Sequence, residues 1–537
     1  MATLGEALFT PRPNYSPDAV ALQLPPSAGG ACVSYAQLAA NVAHLQEQLG
    51  SLNLPQGAVV SSTLINNVEF VAVFLATAQQ SFIAAPLNPN YKEAEVHFYL
   101  DDTASSLLIA PRGTLAGTAD EGALAAKRAA DALGVPVVEA ALDTSRATPF
   151  VTLVARDGPL LTGKAQQAAG SDTALVLHTS GTTGRPKAVP LTHANLVATM
   201  HNIVDTYALT NADKSFLVMP LFHVHGLLCG LLAPLQAGGT VVIPTRFSAS
   251  SFWSDLAATH ANWYTAVPTI HQIVLTLPKP DPAPPLRFVR SCSSSLSPAT
   301  FHALEAALGV PVLEAYAMTE AAHQMTSNPR PDAARKPGTV GIGHGVEVKI
   351  LDGEGHELPK GSDGEVCVRG PNVTAGYRNN EEANRQSFFR TAYGYDAAVD
   401  GFLRTGDQGH VDGDGYLVLT GRIKELINRS GEKISPLEVD AALLSVPSVR
   451  EAVSFAIPHE MYGETVAAAV VLGDDAQGVD AASIRRQLSD KLIRFKVPEK
   501  IWIAESIPKT CVLPADVSHS SATGKIQRRN VAATFNK

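Results

Sequence analysis

The chain has 537 residues, 45% of them hydrophobic and 17% charged, with a formal net charge of −9 at pH 7. So long a chain exceeds what one hydrophobic core organises, so at least two domains are expected, and the composition excludes a disordered or fibrous protein. The acidic balance supplies no basic field for a phosphate backbone, which argues against a nucleic-acid partner.

Cys32, Cys229, Cys292, Cys367 and Cys511 are scattered and form no CxxC pair. Neither a disulfide framework nor a zinc site is expected, and a reducing compartment fits. The first residues lack a basic stretch followed by an apolar one, as a secretory signal would need. No apolar run reaches the roughly 18 residues that span a bilayer, so no membrane partner is expected. The tail Phe535-Asn536-Lys537 is not a Ser-Lys-Leu type address; a cytoplasmic location is expected ahead of a peroxisomal one. No oligomeric state follows from the sequence, and a monomer suffices.

In chain order, short apolar runs at 59–65, 81–86, 174–177, 241–243 and 286–289 alternate with helical patterns. That alternation predicts parallel sheets covered by helices. Thr192 is placed to cap a helix with Leu196, Met200 and Val204 on one face. The proline-rich stretch 277–286 reads as a loop. From Thr339 the texture changes: Val346, Val348 and Ile350 alternate with polar residues, as do Val366 and Val368, which predicts a half-exposed antiparallel region. A further change falls near Gly421, after which Ser435-Pro-Leu-Glu438 opens a helix with a serine cap, proline in the first turn and a glutamate closing a capping box. The strand-like 449–457 and helical 483–492 complete a small α+β domain. Domains at 1–421 and 422–537 are expected.

The densest chemistry lies in Leu177-His-Thr-Ser-Gly-Thr-Thr-Gly-Arg-Pro-Lys187. A strand enters a loop of hydroxyl residues and two glycines, then a lysine. Glycine lets successive N–H groups point at one anion, so Thr179, Ser180, Gly181, Thr182, Thr183, Gly184 and Lys187 form a candidate phosphate-binding loop. It does not follow the Walker pattern.

With that loop, four further strings resemble the acyl-adenylate-forming enzymes, a family that includes acyl-CoA synthetases, 4-coumarate–CoA ligases and luciferases. They are Tyr316-Ala-Met-Thr-Glu320, Arg404-Thr-Gly-Asp407 with Tyr416 through Arg422, Gly421-Arg-Ile-Lys-Glu-Leu-Ile-Asn428 leading into Gly431, and Thr523-Gly-Lys525-Ile-Gln-Arg-Arg529. All occur in family order across nearly the whole chain. The resemblance implies an α/β fold: a large N-terminal domain of two α/β subdomains plus a small β-barrel, followed by a mobile α+β C-terminal domain. It implies ATP, Mg2+ and coenzyme A as cofactors and an AMP-forming acid–CoA ligase as the activity.

By the same resemblance, Glu320 holds the metal and Thr319 contacts the α-phosphate. Glu314, Ala315 and Tyr316 hold the adenine, with the aromatic ring as a stacking face. Asp407 accepts from the ribose hydroxyls and Arg422 adds a second contact. Lys525 is the main catalytic group, Lys424 the hinge, and Gly431 lines the pantetheine tunnel, where a side chain would obstruct. In relatives, 507–510 runs almost directly into the Gly-Lys pair, whereas here Cys511 to Ser521 intervenes.

A fatty or aryl acid wants an apolar lining. This chain offers His223, Ser293 and His323, with Arg290 nearby, a polar set suited to a second carboxylate, whose charge would raise the charged fraction of a neighbouring histidine. His223 also counts among the catalytic candidates. The strings 220–228, 263–272, 287–293 and 428–436 resemble the plant and fungal oxalate–CoA ligase branch of the family. Two other readings stand: a ligase for a medium-chain or aromatic acid, and a nucleotide-binding protein without turnover. The first would need apolar residues at 223 and 323; the second would need Glu320, Lys187 or Lys525 to be missing.

Overall fold

The computed structural model describes residues 2–13, 15–143, 149–179, 186–329, 334–389, 401–473, 476, 478–508 and 528–535. Two large sheets carry the first three hundred and forty residues. One is a nine-stranded sheet whose six central strands are parallel and include Lys214–Phe216, Trp263–Ala266, Phe288–Ser291 and Val312–Met318. The other has eight strands, among them the parallel Val59–Ser62, Ile83–Pro86, Ser105–Pro111 and Thr173–Thr179. These are the expected parallel sheets. Helix Val68–Gln79 is apolar all round, with ten of its twelve residues buried. Such a helix has no solvent face and belongs between layers, and it joins the largest hydrophobic cluster.

The expected strand at 286–289 lies instead at Phe288–Ser291. The proline-rich loop runs further, and the strand takes in Arg290 and Ser291. Both are buried, which their polarity hid from a hydropathy reading.

Thr192 caps helix His193–Tyr207 as expected. Its hydroxyl accepts from the Asn195 N–H (3.1 Å), and the Asn195 side chain accepts from the Thr192 N–H (2.9 Å). Asn195 Nδ2 also donates to the carbonyls of Pro371 and Val373. Thr192→Ala should cost about 1 kcal/mol of local helix stability, seen as faster amide exchange in the first turn of that helix. Unchanged exchange there would show that packing alone fixes the helix start.

After residue 346 the small β-barrel implied by resemblance takes the form of a four-stranded antiparallel sheet in the order Glu347–Leu351, Gly364–Arg369, Leu403–Val411, Leu417–Arg422. Its valines face one apolar cluster with Tyr316 and Met325. Ile427–Arg429 begins the last sheet, where the long strands Val449–His459 and Gly463–Leu472 pair antiparallel and Lys500–Ile503 runs parallel to the second of them. Ser435 caps helix Pro436–Leu444, and its hydroxyl also donates to the Thr420 carbonyl. The capping box is corrected: Glu438 turns away to Lys496, 2.7 Å from its ammonium. A charge partner 58 residues on outcompetes the backbone N–H. Among the described residues no helix is long and apolar enough to cross a membrane.

Candidate active site

Thr179 and Lys187 are cross-strand partners in an antiparallel pair. The loop residues Ser180, Gly181, Thr182, Thr183 and Gly184 lie outside the described residues. Facing the pair is the turn Thr319–Ala321, which links strands Val312–Met318 and His323–Ser327. Glu320 is buried there. Its Oε1 accepts from Tyr377 OH at 2.9 Å and lies 3.5 Å from Thr179 Oγ1. Neither contact uses Oε2. Lys187 Nζ sits 4.6 Å from the centre of the Tyr377 ring. Burial and the neighbouring Lys424 charge push the Lys187 ammonium below its ordinary value, while Glu320 pulls it back up. One buried carboxylate between a lysine and a hydroxyl-lined strand end fits magnesium, which takes one or two carboxylates plus nucleotide phosphate oxygens.

The strand carrying Glu314, Ala315 and Tyr316 runs past Asp407. Asp407 pairs across strands with Arg422, whose Nε lies 3.0 Å from Oδ1. Tyr316 OH donates to Oδ2. The Tyr316 ring is all but buried in the apolar cluster, so its clearest task is to hold Asp407, where a stacking face had been expected. A carboxylate has about four lone-pair sites, so two remain for a vicinal diol. Glu314 accepts from the Gly338 N–H at 3.0 Å, and burial pushes its carboxyl up to about 7.

The polar set expected for the acid is only partly as foreseen. Ser293 and His323 come together, but around His225. His225 Nδ1 is 3.0 Å from Ser293 Oγ, and its ring stacks on His323 at 5.1 Å and 24°. His223 lies two residues earlier, half-buried and tilted against Phe222. His225 opens a π-helical segment, His225–Leu232, a rare geometry that concentrates at functional sites. Gly226 permits it: a Cβ there would lie 2.2 Å from the Pro220 carbonyl. Ser293 and His323 both adopt positive φ, 74° and 101°, a conformation that costs energy in residues with a Cβ and clusters at binding sites. His323 Nε2 is buried with no hydrogen-bond partner among the described residues. Beneath them Arg290 is fully buried.

Lys424 lies in the exposed turn Ile423–Glu425 between the third and fourth sheets. Gly431 has φ 94° in the turn before Glu432–Ile434, and an added Cβ would meet nothing within 4 Å. The backbone angle, not crowding, is what demands glycine there. Lys525 and the 511–521 segment lie outside the described residues. Three residues beyond that lysine, the Arg528 guanidinium reaches Asp440 at 2.6 Å, Glu425 at 3.3 Å and the Ser454 carbonyl at 2.8 Å.

Residues 9–378 match the profile of the AMP-binding enzymes, and 438–511 match the C-terminal domain of AMP-binding enzymes. The chain belongs to the AMP-binding enzyme family. It is 45% identical to an oxalate–CoA ligase of Saccharomyces cerevisiae over 94% of this chain and 93% of that one. It is 46% identical to an oxalate–CoA ligase of Arabidopsis thaliana over 89% and 88%. The crystal structure of ATP-bound MatB from Rhodopseudomonas palustris superposes with a TM-score of 0.84 at 28% identity, covering 99% of this chain and 98% of that one.

Within this family site, sequence reasoning missed His225, Thr265, Gln324 and Tyr377. Only the His-Val-His spacing at 223–225 marked His225, and its apolar flanks read as core. Burial, then the Arg290 charge, hold His225 and His323 well below their ordinary value, which favours their neutral forms.

Buried His271 is likewise lowered, to about 4, by burial. Below about pH 6.5 the unfolded chain takes up protons on histidines that the folded state keeps neutral. The unfolded state then binds more protons, and stability falls with pH by up to about 1.4 kcal/mol per pH unit for each such ring. Glu314, with its raised folded value, works in the opposite sense between about pH 4.5 and 7. The histidines outnumber it. The melting midpoint should therefore drop from pH 7 to pH 5.5; a flat midpoint would mean these rings are protonated in the fold.

Proposed function

We propose that this protein is an ATP-dependent acid–CoA ligase that converts oxalate, ATP and CoA to oxalyl-CoA, AMP and diphosphate. The observation that carries the choice of acid is the 45% and 46% identity, over most of each chain, to two proteins named oxalate–CoA ligase. The small polar floor of Ser293, His225 and His323 supports it, since a compact doubly charged acid needs donors where a fatty acid needs a greasy tunnel.

In this reading, one oxalate carboxylate rests against Ser293 and His323, and the other faces the α-phosphate. A carboxylate oxygen attacks the α-phosphorus, the bond to diphosphate breaks, and oxalyl-adenylate forms. Glu320 would hold magnesium, which would supply charge neutralisation for the nucleotide phosphates. Thr179 and Lys187 donate to phosphate oxygens as charge builds there, and Lys525 adds a cation that counts most in the transition state. Asp407, fixed by Tyr316 OH and Arg422, holds the ribose. The CoA sulfur then attacks the adenylate carbonyl, the bond to AMP breaks, and the thiol proton leaves to solvent. Lys424 and Gly431 belong to this second step, with the C-terminal domain turning about the Ile423–Glu425 segment.

The test is CoA-dependent AMP release across oxalate, malonate, acetate, hexanoate and 4-coumarate. Turnover should be confined to oxalate or exceed the other acids by at least about a hundredfold, since a site built on polar donors rejects partners that leave those donors unpaired. Preferred turnover of hexanoate or coumarate would keep the ligase and discard oxalate.

A further inference from the structure

Arg290 lies in the middle of the central parallel sheet and is fully buried. Its guanidinium has four neutral partners and no carboxylate among the described residues: Tyr207 OH at 2.6 Å, Thr265 Oγ1 at 3.1 Å, Gln324 Oε1 at 3.3 Å and His225 Nε2 at 3.4 Å. An uncompensated buried charge is costly, and nothing in the fold's packing calls for one at this point.

Arginine can only donate. Every bond leaving Arg290 therefore has a fixed direction, and that direction propagates. Thr265 Oγ1 accepts from Arg290 and lies 2.6 Å from His225 Nε2. With Arg290 Nη1 also facing Nε2, that nitrogen can serve only as an acceptor, from Arg290 and from the Thr265 hydroxyl. A neutral ring then carries its proton on Nδ1, which donates to Ser293 Oγ 3.0 Å away. The Ser293 hydroxyl, as acceptor from His225, keeps its own hydrogen free to donate.

We infer that Arg290 is a positioning residue that acts through Thr265 and His225 to hold the Ser293 hydroxyl as a donor aimed at the acid. The guanidinium touches no substrate. It sets the polarity of a three-link chain whose last member does. The same charge disfavours a proton on the stacked His323 ring, so the pocket recognises an anion with neutral donors and lays no second charge beside the phosphate chemistry. This deepens the proposed function, on which it rests for the choice of oxalate; the direction of the chain does not depend on which acid binds.

Two substitutions at Thr265 separate this from packing. Thr265→Val keeps the volume and deletes the hydroxyl; Thr265→Ser keeps the hydroxyl and deletes a methyl. Val removes the close Thr265 donor (2.6 Å) and leaves His225 Nε2 only the longer Arg290 contact (3.4 Å), so the relay requires Val to raise KM for the acid about tenfold, the scale of one hydrogen bond lost from a charged chain, with KM for ATP unchanged and Ser within about twofold of wild type. Packing requires the reverse order, because Ser opens a cavity and Val does not. An acid KM unmoved by both, or a Ser variant worse than Val, overturns the inference.

A second measurement needs neither variant nor substrate. In protein labelled with 15N-histidine at pH 7, the His225 resonances, assigned by their loss in His225→Gln, should report a neutral ring protonated on Nδ1. An Nε2-protonated or charged ring overturns the relay. Oxalate turnover by the wild type tests the proposed function separately.

Discussion

Lys525→Ala should lose on the order of 10²–10³ in the rate of adenylation, the scale of one preplaced oxyanion donor removed, while CoA still attacks supplied oxalyl-adenylate at near the wild-type rate. The split follows from the chemistry. Negative charge grows on the α-phosphate as the carboxylate oxygen attacks, and a cation already in place lowers that transition state more than the ground state. Thioester formation moves charge onto a leaving AMP and needs no cation at the same point. Oxalate-dependent ATP–diphosphate exchange reads the first half-reaction alone. The segment Cys511 to Ser521 precedes this lysine in the chain. Lengthening a loop is cheap, about 0.6 kcal/mol per doubling, provided its far end is pinned. Three residues beyond Lys525, Arg528 is held by Asp440 and by Glu425, next to Lys424 in the Ile423–Glu425 turn. Normal exchange in the alanine variant would remove Lys525 from the first step.

Glu320→Gln should cost about a hundredfold or more in the same exchange reaction, because metal charge at a phosphate site contributes several kcal/mol. The substitution keeps shape and keeps an acceptor for Tyr377 OH, which sits 2.9 Å from Oε1. What it removes is charge. That loss also withdraws the attraction that offsets burial at Lys187, so the ammonium facing the phosphates becomes easier to deprotonate. The variant should need more magnesium for half-maximal exchange and should show a reduced rate at saturation. An unchanged magnesium requirement would move the metal to other ligands.

The chemical strings of the site were legible because they are local. Thr179 to Lys187 and Thr319-Glu320 are each short continuous strings, and the fold brings Thr179 within reach of Glu320. The parallel sheets were legible from runs of β-branched residues between helices. The rest depended on contacts distant in sequence. Glu438 chooses Lys496 over its own helix cap. His225 sits inside an apolar run and becomes a polar wall only because Thr265 and Arg290, on two neighbouring strands, and Ser293, just past the second, converge on it. A buried arginine in a central strand contradicts hydropathy outright, and only the neutral partners around it show how it is accommodated. Tyr377 was invisible for the same reason: its ring and hydroxyl connect Lys187 and Glu320, residues far from it in the chain.

In the proposed reaction the protein activates oxalate by joining it to AMP. The most direct measurement uses oxalate labelled with 18O, with ATP, magnesium and CoA, and weighs the AMP and the diphosphate. Transfer through oxalyl-adenylate puts one labelled oxygen from the attacking carboxylate into each AMP and none into diphosphate. Unlabelled AMP, or label recovered in a phosphate other than AMP, would rule out an oxalyl-adenylate.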